Sequence, residues 1–578
     1  MTVTAGTGVA AQSTRKTALA PRLVAFALLA VVSYLVVPPL LVLIYGSLTS
    51  TPPGVAPKFT LDIITHAYGN PQVLRSLLRS LAFSVSTATL ALVIGAFLAW
   101  LVERTQAKLR GITDLFTLVP LLLPAVLLVS GWILLLAPRI GPLNVLYQWV
   151  FGAKAGLDIF TFAGMIWVGT LQELPLAFLW LWPAFRAMNP ELEEAATVCG
   201  AGTFTTLRRV TLPLLWPTLA AAWVIFFITS MGALAVPLLL GMPGGIILYS
   251  TEIYLATARI PTNLNLASAY GLLFLVIAAI GVYANRVVTA DSTRFSTITG
   301  RGYRARRIAL DKWQTMTITV AAVLLLLAAA VLPLFVLFWN AFMPFPQPPT
   351  IESLARATLN NFPKAWNYGP AKRAVLNSLV LGLSAGVITT AIGAMVAWGM
   401  VRQKTNKKLF GLLDFLCTVP MAIPGIIVGV SFVWLYLLMP VPIYGTAWIL
   451  LLAYITLHLP YAVRICGSVI GQIHPELEEA AQVSGAGYFT NFRRIVAPLV
   501  APGIAVSVVY ISIRAFREYQ ASIFLTSSGS EVFSIIVLDM ADGGNSTILA
   551  AYASVVVLCL SVAAMVLYWF GRRSGVKI

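Results

Sequence analysis

The residues whose types and spacing could do chemistry lie in a polar segment that the chain contains twice. Residues 190–217 read PELEEAATVCGAGTFTTLRRVTLPLLWP, and residues 475–502 read PELEEAAQVSGAGYFTNFRRIVAPLVAP. The two copies align without a gap and are identical at roughly 18 of 28 positions, charges, glycines and prolines included, which indicates a duplicated unit. These ranges are called the first and second polar segments below.

The residue order of each polar segment predicts two short helices that lie at an angle across a membrane surface. A proline and an acidic cluster suit the first turn of a helix, because the helix dipole is positive there. A Gly-Ala-Gly sequence then ends this helix, and paired arginines and a proline precede the next apolar run. An exposed helix of this kind can dock on a partner. The alternative is an amphipathic helix that only rests on lipid headgroups.

Five ionisable residues inside the apolar runs form a second candidate group. Charge inside a bilayer is costly, so such side chains usually face the bundle interior or a cavity. Glu173 and His458 each precede Leu-Pro and occupy equivalent positions of the duplication. The spacing of Arg514, Arg517 and Glu518 predicts one shared helical face. We expect these five to line a translocation path or gate; the alternatives are a structural Arg514–Glu518 pair and a His458 that is satisfied in the core.

The sequence contains no recognisable catalytic or metal-binding arrangement. It has no G-x-x-x-x-G-K-[ST] phosphate loop, no HExxH zinc motif and no GxSxG nucleophile motif. The four cysteines are isolated and have no CxxC spacing, so a disulfide or zinc framework is not expected. We therefore expect no catalytic residue and no metal site on this chain.

The composition indicates a protein whose surface faces lipid. Of the 578 residues, 59% are hydrophobic and 10% are charged, whereas soluble domains carry about 25% charge. The net charge of +18 does not indicate nucleic-acid binding, because the basic residues are spread over short loops between apolar runs, as the positive-inside rule predicts. The same rule places both termini and both polar segments in the cytoplasm. The loop charges that carry this argument include Arg104, Lys108, Arg110, Arg402, Lys404, Lys407 and Lys408.

The apolar runs predict an all-α integral membrane protein with about twelve transmembrane helices, six in each half. Both halves contain an even number of helices in the same order, so the repeats are parallel and related by a pseudo-twofold axis along the membrane normal. A substrate path would lie between the halves. The predicted helices are 22–48, 76–102, 113–137, 161–186, 213–240, 264–286, 315–343, 374–401, 412–439, 446–470, 498–525 and 547–570. The predicted domains are a cytoplasmic segment 1–21, a first transmembrane domain 22–286, a basic cytoplasmic linker 287–312, a second transmembrane domain 313–571 and a cytoplasmic tail 572–578.

Each polar segment resembles the signature E-A-A-x-x-x-G-x(9)-I-x-L-P of permease subunits of ATP-binding cassette importers. The spacing is kept in both copies, and each copy has one substitution. The whole chain resembles two such units fused head to tail, which implies the MetI-like fold of type I importers. The residues that match are Glu194, Ala195, Ala196, Gly200, Val210 (in place of Ile), Leu212 and Pro213 in the first copy, and Glu479, Ala480, Ala481, Gly485, Ile495, Ala497 (in place of Leu) and Pro498 in the second.

The resemblance implies a transport subunit and not an enzyme. In this family the short cytoplasmic helices are coupling helices, which sit in grooves of a dimer of ATPase subunits, and a solute-binding protein delivers cargo from the extracytoplasmic side. ATP and Mg would then be bound by the partner ATPase, and this chain would carry no cofactor. The coupling residues implied here are Glu194, Ala195, Ala196, Gly200 and Gly202 in the first copy and Glu479, Ala480, Ala481, Gly485 and Gly487 in the second.

The resemblance also implies a location and a cargo. The fused arrangement is most similar to ferric-iron importers, so ferric iron is the expected cargo and the bacterial cytoplasmic (inner) membrane the expected location. Thiamine, a phosphonate, a polyamine or another small solute remain as alternatives. A twelve-helix secondary carrier would need no ATPase, but it leaves the two polar segments unexplained. A multi-pass membrane enzyme is not supported, because the sequence offers no catalytic residues for it.

Overall fold

The chain is α-helical across the residues that the computed structural model describes. One isolated antiparallel bridge joins Thr49 and Phe59. The all-α class predicted from the sequence is thereby confirmed. The described residues are 7–106, 113, 123–152, 156–189, 191–290, 311–402, 407–474 and 476–573.

The principal helices follow the duplication. In the first half they are α1 (Thr7–Ser47), α2 (Pro71–Arg104), α3 (Ala125–Leu135), α4 (Phe162–Ala187), α5 (Glu191–Val198), α6 (Thr203–Met231), α7 (Tyr249–Ala258) and α8 (Leu264–Ala290). In the second half they are α9 (Lys312–Ala341), α10 (Ala371–Arg402), α11 (Lys407–Thr418), α12 (Gly425–Leu438), α13 (Ala447–Ile470), α14 (Glu476–Val483), α15 (Phe492–Phe516), α16 (Phe533–Asp542) and α17 (Ser546–Arg573). The connections contain short helices at Asp62–Gly69, Pro142–Phe151, Ile351–Leu354, Asn361–Trp366, Tyr488–Asn491 and Ser522–Leu525.

Each of the twelve predicted membrane segments contains an apolar helix. Among the described residues, nine helices are long and apolar enough to cross a membrane, and α11 with α12 makes a tenth if the bent pair is one span. The two remaining segments correspond to α3 and to the first part of α17, which are shorter apolar helices. Several predicted features lie partly or wholly outside the described residues: 114–122 of the third predicted helix, 291–310 of the linker, 574–578 of the tail, and the loop charges Lys108, Arg110 and Lys404.

Four predicted helix boundaries were wrong. Helix α1 begins at Thr7, inside the predicted N-terminal segment 1–21. The predicted helices 213–240 and 498–525 end at Met231 and Phe516. The predicted helix 412–439 is broken before Pro424 and bends by 108°. The break has a local cause, because proline disfavours helical backbone in the residue before it, and Ile423 is extended.

The first helix of each half packs against the other half. The Tyr34 hydroxyl of α1 lies 2.9 Å from the Tyr436 hydroxyl of α12. In the reciprocal contact, Gly131 of α3 lies against Pro333 of α9, where a Cβ atom on the glycine would come within 2.7 Å of the proline ring. The two halves are therefore interlocked through α1 and α9.

Within each half, the second and fourth helices touch at a glycine. A Cβ atom on Gly95 of α2 would come within 2.8 Å of Ala177 in α4, and one on Gly393 of α10 within 2.6 Å of Ala462 in α13. Small residues let membrane helices approach closely and gain packing energy. Each of these helix pairs is therefore tightly packed, and the C-terminal ends of its two helices lie beside a polar segment.

Candidate functional site

Each polar segment starts with a short helix that ends at a left-handed glycine. Gly200 has a φ of +85° and Gly485 a φ of +83°. The next amide closes the helix in both copies, since Ala201 N–H donates to the Ala196 carbonyl at 3.0 Å and the equivalent bond in the second copy measures 2.9 Å. This is the Schellman arrangement, which favours glycine. The predicted break is present in both copies, while the role of these glycines in coupling stays a prediction.

The sequence predicted a separate second short helix in each polar segment, and this prediction was wrong. In the first copy, helical backbone runs from Thr203 through a π turn at Leu207–Thr211 into the apolar part of α6. The second copy has the equivalent π turn at Phe492–Val496 in α15. The glycine bend is therefore the only break, among the described residues, between each short helix and a long apolar helix.

Seven of the ten predicted coupling residues are exposed on the polar segments. Ala481 is buried, and Glu194 and Ala196 are half-buried. Two valines that the sequence analysis missed are strongly exposed at equivalent positions: Val198 is 88% exposed and Val483 is 91% exposed. The exposed members of the predicted set are Ala195, Gly200, Gly202, Glu479, Ala480, Gly485 and Gly487. This surface is both polar and apolar, as a docking surface requires.

The inner face of each short helix carries an ion pair that the sequence analysis missed. Arg104, the last residue of α2, pairs with Glu193 at 2.6 Å. Arg402, the last residue of α10, pairs with Glu478 at the same distance. All four side chains are largely buried. The sequence analysis had treated both arginines as charges of cytoplasmic loops. The sequence did contain one sign of these pairs, because the arginine and the glutamate occur at equivalent positions of both halves.

Three of the five ionisable residues predicted for the path line a cavity of about 90 Å³ next to the other half: His458 from the middle of α13, Arg514 from the last turn of α15, and Glu518 from just beyond it. Glu173 and Arg517 are not among its lining residues. Its polar lining in the second half consists of His458, Tyr461, Arg514, Glu518 and Gln520, and Thr229 contributes from the first half. Arg514 also interacts electrostatically with Glu173. The site therefore brings predicted residues of both halves together.

Arg514 and Glu518 have different partners, so the predicted structural pair is not observed. The guanidinium of Arg514 stacks over the Tyr461 ring at 4.3 Å and donates to the Tyr510 hydroxyl at 3.3 Å. A carboxylate oxygen of Glu518 accepts the backbone N–H groups of Gln520 at 2.9 Å and Ala521 at 3.1 Å. Ion pairs among the described residues do not include Arg514 with Glu518.

The predicted common helical face of the second-half charges was wrong. Helix α15 ends at Phe516, so Arg517 and Glu518 lie beyond it. Glu518 takes the place of the missing helical bonds, because its carboxylate binds amides of the following turn. The carboxylate therefore stabilises the turn that leads into the short helix Ser522–Leu525, as well as facing the cavity.

Glu173 and His458 are deeply buried polar side chains in equivalent positions of the two halves. They are 4% and 2% exposed. One carboxylate oxygen of Glu173 and both ring nitrogens of His458 have no hydrogen-bond partner among the described residues. Leaving such groups unpaired costs free energy. The alternative in which His458 is satisfied in the core therefore loses support.

A tyrosine joins the two halves next to this cavity. The Tyr519 hydroxyl accepts N–H groups from Leu234 at 3.3 Å and Ala235 at 3.0 Å. Leu234 is the residue that the duplication makes equivalent to Tyr519. In the same region, Gly232 lies against Pro424, where a Cβ atom would come within 2.5 Å of the proline ring. The chain breaks that follow α6 and α15 therefore meet at the centre of the molecule.

Comparison with known families shows what this architecture is. Residues 91–293 and 389–575 each match the family described as binding-protein-dependent transport system inner membrane component. The chain belongs to this family. It contains the domain twice, as a fused double permease, and it is a multi-pass inner-membrane permease of the ATP-binding cassette importer class.

Two curated relatives show the range of systems to which this permease is similar. It is 25% identical to the ferric transport system permease protein FbpB of Actinobacillus pleuropneumoniae over 516 residues, which cover 88% of this chain and 73% of the relative. It is 31% identical to the molybdenum transport system permease protein ModB of Azotobacter vinelandii over 155 residues, which cover 27% of this chain and 67% of the relative. The match to the ferric system spans both halves of this permease.

Proposed function

We propose that this permease carries ferric iron into the cell, through a path between its two halves, at the expense of ATP hydrolysis on a separate ATPase dimer. One observation carries the transport mechanism: each half presents an exposed short helix that leads, across a single glycine bend, into a long helix next to the central cavity. Two such helices suit a dimer of ATPase subunits. An extracytoplasmic solute-binding protein would supply the cargo.

The proposed path runs past the cavity lined by His458, Arg514 and Glu518. Arg514 and Glu518 belong to one half only, because the stretch of the first half equivalent to them carries no charge. The polar surface of the path is therefore asymmetric, and the charges would act as a gate. Both termini and both short helices would then face the cytoplasm, in agreement with the distribution of basic loops.

Ferric iron is proposed because FbpB of Actinobacillus pleuropneumoniae, named as a ferric permease, is similar to this chain over most of its length. Thiamine, a phosphonate or a polyamine are the alternatives.

The proposal as a whole is tested by mild-detergent extraction from the native membrane and mass spectrometry of the proteins that co-purify. We expect an ATPase and a binding protein, followed in proteoliposomes by ATP-dependent uptake of ferric iron in preference to molybdate or thiamine. Recovery of the chain alone, under conditions that preserve related complexes, would favour a secondary carrier.

Reversing the charge of Glu479 is expected to weaken docking on the second half. The carboxylate is exposed in the first turn of α14, so Glu479→Arg removes a surface contact with the ATPase without changing the buried core. We expect less ATPase to co-purify per chain and uptake to fall about tenfold, a loss of about 1.4 kcal/mol at the interface. The amount of ATPase bound to the purified variant is the measurement.

The matched control is Glu352→Arg. Glu352 is also an exposed acidic residue in the first turn of a short helix, so the reversal has the same effect on the helix dipole. It lies in the connection between α9 and α10, at the opposite end of the molecule. A full complement of ATPase with Glu479→Arg, or an equal loss with Glu352→Arg, would contradict the docking role.

A further inference from the structure

We infer that Arg104 and Arg402 are positioning residues that fix each coupling helix to the membrane helices of its own half and so transmit the movement of the ATPase to the path. This inference rests on the proposed function. The first clamp is defined as Arg104, Glu193 and the Met188 carbonyl, and the second clamp as the equivalent Arg402, Glu478 and Ile473 carbonyl.

Each clamp joins three elements through one guanidinium. Arg402 is at the end of α10, Glu478 is in α14, and Ile473 follows the end of α13. The arginine donates to Glu478 at 2.6 Å and to the Ile473 carbonyl at 2.5 Å. The first clamp brings the same groups together less ideally: Arg104 Nε lies 2.6 Å from a Glu193 carboxylate oxygen without a hydrogen bond among the described residues, and the bond to the Met188 carbonyl is 3.5 Å long.

The burial of the clamps makes them rigid. Short bonds between charged groups are stronger than neutral ones, and the planar guanidinium fixes direction as well as distance. A buried ion pair is nevertheless a weak source of stability, because desolvation offsets much of the attraction. Well-packed apolar residues could hold these helices together equally well. We therefore attribute the charged arrangement to orientation: it holds the coupling helix in one direction relative to the membrane helices.

The two halves complete the clamp differently. In the first half, the Thr211 hydroxyl donates to the second oxygen of Glu193 at 2.6 Å. Thr211 ends the π turn of α6. In the second half the equivalent residue is Val496, and the Trp398 indole N–H donates to Glu478 at 3.0 Å instead. The arginine, the carboxylate and the backbone carbonyl are common to both clamps, although their fourth partner differs.

Both fourth partners connect the clamp to the long helix. Thr211 belongs to α6 itself. Trp398 packs against Phe492, the first residue of the π turn in α15, with ring centroids 4.7 Å apart. Only α15 continues to Arg514 at the central cavity. The second clamp is therefore the one that connects directly to the charged gate, and its loss should impair transport more than loss of the first.

The test measures cargo moved per ATP hydrolysed, with the intact complex of permease, ATPase and binding protein in proteoliposomes. Arg402→Met keeps the length of the side chain and removes the clamp, while the exposed docking surface stays unchanged. We expect the ATPase to remain bound and hydrolyse ATP, and cargo per ATP to fall about tenfold or more, within the range of coupling between protein sites. Arg104→Met is expected to give a smaller loss, and Arg402→Lys an intermediate one.

The control variant is Arg373→Met, which breaks a pair of 3.1 Å between the exposed Arg373 and the largely buried Glu531 at the other end of the molecule and should leave cargo per ATP unchanged. The opposite result is that Arg402→Met lowers uptake and ATP hydrolysis by the same factor, equal to the loss of folded complex. The arginine would then have only a structural role, and the inference would be overturned. If Arg402→Met does not insert, Arg402→Lys decides, and an unchanged ratio overturns the inference. A wild-type complex without coupled hydrolysis would instead overturn the proposed function, and the clamp role with it.

Discussion

Replacing Glu518 with glutamine is expected to reduce cargo uptake at least tenfold while the permease still inserts and binds its ATPase. Glutamine keeps the shape of the side chain and an oxygen that can accept the Gln520 and Ala521 amides, which Glu518 binds at 2.9 and 3.1 Å. It removes the negative charge that acts on Arg514. The variant therefore separates the charge from the hydrogen bonds.

The size of the effect follows from charge in a medium of low polarity. Removing one partner from a group of buried charges costs about 3–5 kcal/mol in soluble proteins. Only part of this cost needs to act on the balance between the open and closed states of the gate. A change of about 1.4 kcal/mol in that balance already corresponds to a tenfold change in rate. Uptake of radiolabelled cargo by proteoliposomes with equal amounts of inserted permease is the measurement, with Arg517→Ala measured in parallel.

Glu252→Gln is the control for the loss of a buried carboxylate. Glu252 is buried in α7 of the first half, and its neutral partners include the Ser76 hydroxyl at 3.0 Å. It does not line the central cavity. We expect near-normal uptake with this variant. Normal uptake with both Glu518→Gln and Arg517→Ala would contradict the gating role and leave a structural role for these charges.

The position of these charges also shows what the sequence could predict. The apolar runs, the duplication and the costly charges inside them were sufficient to place Glu518 at an interior site. They were not sufficient to find the end of α15, because apolar residues resume after the polar stretch 517–520 and the pattern therefore reads as one helix to Leu525. The end depends on contacts between the halves, such as the Tyr519 hydroxyl that accepts the amides of Leu234 and Ala235. No pattern within one segment contains that information.

The ion pairs of the clamps show a second limit. The sequence analysis counted Arg104 and Arg402 as loop charges, because each follows an apolar run and precedes other basic residues. The structure makes each the last residue of a helix, buried against a carboxylate of the polar segment. A count of charges by loop records sign and sequence position only. The pairing depends on how the second and fourth helices pack, which Gly95 and Gly393 make possible.

The interlocked first helices show a third limit. Helix α1 is apolar on most of its surface, so its pattern does not say which neighbour it prefers. The contacts that place it on the second half are specific ones, such as the pair of Tyr34 and Tyr436 hydroxyls. The parallel relation of the halves was predictable from helix number and order. The exchange of first helices between the halves was not predictable, because it changes neither the number nor the order of the helices.

Replacing Gly485 with leucine is expected to uncouple ATP hydrolysis from transport while insertion is kept. The residue has a φ of +83°, and a Cβ atom there would meet no atom within 4 Å. The cost of the substitution is therefore backbone strain and not a clash. A residue other than glycine in this conformation costs about 1–2 kcal/mol. The end of α14 can avoid the strain only by unwinding, which moves the docking surface relative to α15.

Two substitutions separate the bend from the bulk of the new side chain. Asparagine tolerates the left-handed conformation better than other residues, so Gly485→Asn should keep most of the cargo moved per ATP. Gly54→Leu introduces a similar strain, at a φ of +87° and also in open space, but far from the polar segments. We expect Gly54→Leu to transport normally. If Gly485→Leu transported cargo with the wild-type yield per ATP, the coupling helix would not need a fixed bend, and ATPase movement would have to reach the path through the clamps alone.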